Sequence, residues 1–66
     1  MNAQEMFNRL GFYLSLIGTA DIIVYKQRDS HIRFWRDDRL YDTFGFDITS
    51  EIHQAITQQM KELGWL

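Results

Sequence analysis

The sequence predicts an α+β domain of α-β-β-β-α type, with two helices packed against an antiparallel meander of three or four strands. Two observations predict this layout. Apolar residues recur at helical spacing only near the two ends, whereas the middle is rich in β-branched and aromatic residues with period-two alternation. Short clusters of Asp, Ser and Gly divide that middle at hairpin spacing.

The first helix is expected over about Ala3 to Leu10, where Met6, Phe7 and Leu10 form an apolar stripe. Gly11 is its expected stop, because glycine accepts the left-handed conformation at C′ without a Cβ penalty. A rival reading carries the helix through Gly11 to Ile17, since Leu14 and Ile17 continue the stripe. The break is preferred: Phe12, Leu14 and Leu16 alternate with Tyr13 and Ser15, which is strand period.

Asp21 to Arg28 then reads as a strand, Arg28-Asp29-Ser30 as a turn, and His31 to Arg36 as its partner. Asp37-Asp38 marks a second turn and Arg39 to Phe44 a further strand, closed by Gly45 and Asp47. Strand period puts Ile23, Tyr25, Ile32 and Phe34 on coincident faces of the hairpin as the expected core. Lys26, Arg28, Arg33 and Trp35 fall on the other faces.

The second helix has the clearest signals. Thr49 is a natural N-cap and Glu51 places a negative charge in the first turn, where the helix dipole favours it. Ile52, Ala55, Ile56, Met60 and Leu63 form the stripe that should lie on the sheet. Gly64 should end the helix at C′, with Trp65 at C″ folding back on Met60 in a Schellman closure.

Size and composition bound the function. A chain of 66 residues is a single domain, 1–66, that buries roughly 60% of its unfolded surface. It has no cysteine for a disulfide, and two histidines alone cannot build a structural zinc site. Its core must come from bulky side chains, which the 15% aromatic content supplies. No basic, apolar leader and no long aliphatic run is seen, and the lack of cysteine fits a reducing compartment, so a cytoplasmic protein is expected.

Five of the seven basic residues, Lys26, Arg28, Arg33, Arg36 and Arg39, fall in one window with Tyr25, Phe34 and Trp35 interleaved. Phosphate neutralisation plus stacking platforms is what single-stranded nucleic acid requires, so this face is one candidate interface. Asp29, Asp37 and Asp38 dilute the window, and the chain as a whole carries −2, so a solvated, salt-bridged outer face is the commoner explanation. His31 near Asp29, Asp37, Asp38 and Asp42 offers metal-ligand types at spacings that match no ligand pattern. No serine or threonine has an evident base, no glycine-rich phosphate loop follows a strand, and His53 reads as a packing residue beside the last helix's stripe. Catalytic, cofactor and metal sites are therefore not expected. Trp35 and the Trp65-Leu66 end are binding candidates, because Trp and Arg are enriched at interface hot spots, although the commoner role of both tryptophans is simply to finish a small core. The candidate interaction face comprises Lys26, Arg28, Arg33, Trp35, Arg36 and Trp65.

The opening Ala3-Gln4-Glu5-Met6-Phe7-Asn8-Arg9-Leu10-Gly11 and the closing Ile48 to Ile56 and Gln59 to Trp65 segments resemble a group of very short uncharacterised proteins of Gram-positive bacteria and their phages. The resemblance frames both ends and implies the same α-β-β-β-α layout. It transfers no activity and no functional residue, and the arginine-rich middle departs from its pattern. The resulting expectation is a phage-related accessory or regulatory protein acting through self-association or a protein partner, the alternative being a single-stranded nucleic-acid-binding module. Neither a small-molecule ligand nor a membrane is expected as a partner.

Overall fold

A computed structural model describes residues 1–15 and 21–66 of the protein. The element order is α1 (Ala3–Arg9), β1 (Tyr13–Leu14), β2 (Ile22–Gln27), β3 (Ser30–Trp35), β4 (Leu40–Phe44) and α2 (Ser50–Glu62). Among the described residues, four strands form one antiparallel sheet in the order β1-β2-β3-β4, the larger of the two expected strand counts. The chain breaks at Gly11 as the alternating pattern implied, and Tyr13–Leu14 pairs with Lys26 and Tyr25. The remainder of the expected strand, Leu16 and Ile17, lies outside the described residues.

Both helices are closed by local chemistry. Asn2 caps α1 in a reciprocal box, its side chain accepting from Glu5 N at 2.8 Å while Glu5 accepts from Asn2 N at 3.1 Å. Thr49 Oγ1 accepts from Ile52 N at 3.2 Å to open α2. Each C-terminus ends in the same hydrogen-bond pair. Gly11 N donates to Asn8 O and Phe12 N to Phe7 O, and correspondingly Gly64 N donates to Lys61 O and Trp65 N to Met60 O. These are the bonds of a Schellman motif, with Gly11 at φ 91° and Gly64 at φ 78°.

The core lies between the sheet's inner face and the two helices. Phe7, Phe12, Tyr25, Ile32, Phe34, Ala55 and Ile56 are buried, joined by Ala3 from α1 and Ile52 from α2. Three of the four expected sheet core residues, Tyr25, Ile32 and Phe34, are buried, while Ile23 packs on the cluster half-buried. Pairing places Ile23 opposite Phe34 and Tyr25 opposite Ile32, as coincident faces require. The Phe7 ring stacks on Tyr25 with centroids 4.2 Å apart and meets Phe12 and Phe34 edge-on.

Two contacts lock the helices in place. Gln59, which belongs to none of the expected apolar positions, is buried in α2, and its Oε1 accepts from the Tyr25 hydroxyl at 2.6 Å. Burial pushes the Tyr25 phenol up to about 12, with the nearby Glu62 carboxylate adding to the shift. Glu62 Oε2 also accepts from Ala3 N at 2.7 Å, tying the end of α2 to the first turn of α1.

Candidate interaction face

Strand parity decides which side chains stand on the uncovered side of the sheet. Gln27 pairs with Ser30, so the β2–β3 connection is the two-residue loop Arg28-Asp29. Arg28 sits at φ 53°, a positive angle at the first loop position, where hairpin loops usually place glycine. This tight loop fixes the register and sends Ile22, Val24 and Lys26 to the same face as His31, Arg33 and Trp35. Pairing with β4 adds Leu40, Asp42 and Phe44, and pairing with β1 adds Tyr13. Both helices pack on the opposite face.

The result is an open face with an ionic centre and an apolar surround. Arg33 Nε donates to Asp42 Oδ1 at 3.0 Å and its Nη2 donates to the second carboxylate oxygen, a two-point pairing of guanidinium and carboxylate. The hydrogen bonds from Arg33 hold the Asp42 carboxyl below its usual range, and the same contact raises the arginine. The Arg33 guanidinium also stands 4.9 Å from the centre of the Trp35 ring. Toward the other end, His31 stacks on Phe44 at 5.3 Å with the rings 12° apart. His31 Nε2 is shielded from solvent with no hydrogen-bond partner among the described residues. Tyr13, Leu40 and Phe44 are 56%, 48% and 61% exposed, which leaves large apolar groups facing outward across the sheet.

The six residues expected to share an interaction face separate into three places. Lys26, Arg33 and Trp35 do stand together on the open face. Arg28 and Arg36 are exposed at opposite ends of the sheet, in the 28–29 loop and the 36–39 turn. Trp65 lies on the far side, its ring 6.3 Å from Phe34, where it completes the core under the sheet. Trp65 therefore leaves the face, for a physical reason: the Schellman closure of α2 turns the chain back onto the helix-covered side.

The expected basic track also divides by role. Arg33 is neutralised by Asp42, and Arg39 Nη2 lies 3.4 Å from Gly64 O, where a cation complements the C-terminal end of α2. Lys26, Arg28 and Arg36 have no acidic partner among the described residues. The metal-ligand types named from sequence do not converge either. Among the described residues there is no group of three or more His, Asp and Glu side chains able to hold an ion, and His53 is exposed on α2. No helix among them is long and apolar enough to cross a membrane.

Sequence reasoning missed Tyr13, Leu40 and Phe44 as members of this face. Their alternation is visible in the chain, but their side of the sheet depends on the two-residue loop that sets the register. Comparison of the chain with family models, with curated proteins and with solved structures finds no match.

Proposed function

We propose that this chain is a small accessory or regulatory protein that works by binding, through self-association or a protein partner, with the open sheet face as its contact surface. One observation carries this reading. Both helices pack on the inner face, which leaves Tyr13, Trp35, Leu40 and Phe44 standing outward around a neutralised Arg33–Asp42 pair. Aromatic and aliphatic groups around a satisfied ion pair match the composition of protein contact surfaces, whose centres are low in unpaired charge.

A second reading rests on Lys26, Arg28 and Arg36, which leave cationic groups beside Tyr13 and Trp35. Single-stranded nucleic acid would use them as phosphate contacts and stacking platforms. The pairing of Arg33 weakens that track at its centre.

Light scattering at low and high salt, with and without a mixed single-stranded oligonucleotide, separates the two. A mass above that of one chain, indifferent to salt and oligonucleotide, is the expected outcome. A single-chain mass that rises with oligonucleotide only at low salt would transfer the face to nucleic acid, because phosphate contacts weaken steeply with salt.

A further inference from the structure

We infer that β4 is the pairing edge for a second copy of this chain, joined antiparallel about a twofold axis at Asp42; the inference deepens the self-association reading above and rests on it. β4 ends the sheet on one side, and no described strand pairs with its outer edge. After Phe44 the chain turns away from that edge. Ser30 Oγ donates to Gly45 O at 3.0 Å, and the Phe46 ring meets Phe12 at 5.2 Å under the sheet.

Backbone parity determines what the edge offers. Ser15 N donates to Val24 O at 2.7 Å, so Val24 bonds toward β1 and its neighbours Ile23 and Tyr25 bond toward β3. The same alternation turns Arg33 toward β4 and Asp42 toward β3. The N–H and C=O groups of Tyr41 and Thr43 then point outward, away from the sheet. In an antiparallel pair centred on Asp42, Tyr41 of one copy faces Thr43 of the other. Both outward donors and both outward acceptors of each strand find partners in that register, and a shift by one residue leaves some unmatched.

Side chains fit the same register. Leu40 of one copy comes opposite Phe44 of the other on the open face, covering two of the most exposed large apolar groups in the molecule. The two Asp42 carboxylates approach one another, which opposes pairing, but each is already neutralised by its own Arg33. β4 has no lysine, and the chain has no proline, so two common means of blunting an edge are missing. The twofold keeps all four helices of the pair on one side and makes the two open faces continuous.

The test reads mass by light scattering and amide exchange by NMR on the whole chain. The wild type is expected to reach twice the single-chain mass as concentration rises, with the Tyr41 and Thr43 amides becoming protected together. Thr43→Pro removes an outward N–H and no bond within the sheet, and should return the mass to one chain while circular dichroism shows the fold kept. L40K and F44E, each monomeric alone, should form a dimer when mixed, because one cross pair becomes Lys–Glu and the other stays Leu–Phe. That mixture decides the matter if the proline variant fails to fold. A dimer that persists in Thr43→Pro or L40K, or unprotected Tyr41 and Thr43 amides in a dimer, overturns the edge and leaves self-association through the face standing. A wild type that stays at single-chain mass at every concentration overturns the edge and self-association together.

Discussion

Arg28 and Arg39 hold positive φ angles of 53° and 56°, a region that costs an L-residue on the order of 1–2 kcal/mol. Arg39 has a compensating contact to the carbonyl of Gly64, whereas Arg28 is exposed and has none among the described residues. Arg28→Gly removes that strain at some cost in unfolded-state entropy, so a net gain of about 0.5 kcal/mol is expected in the urea midpoint. Tyr25 gives a second prediction at this scale. Its neutral phenol is favoured by the fold, since its value is raised from 10.0 to about 12. The stabilisation is complete below about pH 10 and is lost as pH rises toward 12, because the unfolded chain releases this proton first. Thermal melts from pH 9 to 12 should fall more steeply for the wild type than for Tyr25→Phe. At neutral pH the same variant should lose about 1–3 kcal/mol, the cost of leaving Gln59 Oε1 buried without its donor.

At the scale of elements, the two C-terminal closures share one geometry but differ in surroundings. A Cβ on Gly64 would meet nothing within 4 Å, so Gly64→Ala should cost about 1 kcal/mol through the left-handed backbone alone. A Cβ on Gly11 would stand 2.5 Å from Gln27 Nε2, whose bond to Leu10 O at 3.5 Å would also be displaced, so Gly11→Ala should cost more. The two urea midpoints give the comparison. Ile56, fully buried in α2, should lose about 2–5 kcal/mol on truncation to alanine. These elements were legible in the sequence because caps, stripes and turn residues act over a few positions. The strands were legible as strands for the same reason. Gln59 was not, since its burial depends on a hydroxyl 34 residues away that converts a polar side chain into a core partner. Trp65 was legible as a helix closure and as a residue that finishes a small core, and it packs there. Its rival place on the interaction face was not decided by sequence, because the side to which the chain returns is set by how α2 packs.

For the whole molecule, the decisive property is the one-sided placement of the helices. Composition announced a basic and aromatic middle, but the fold divides those residues among an ion pair, a helix end, two loops and the open face. Net charge could not reveal that division, because neutralisation of Arg33 requires the β3–β4 register that brings Asp42 beside it. Substituting Lys26 with Ala is accordingly expected to leave the solution mass unchanged at low and high salt. A salt-dependent loss of oligonucleotide binding in that variant would instead support the second reading.

The Ala3–Glu62 hydrogen bond, 2.7 Å long, has a consequence for chain connectivity. It brings the two ends of the fold side by side, with Met1 and Leu66 both exposed nearby in sequence. A circular permutant could therefore join Leu66 to Met1 through a short glycine-serine linker and open the chain between Asp37 and Asp38, in an exposed turn. Such a chain should reach the same sheet, and it would begin and end beside β4 rather than beside the helices.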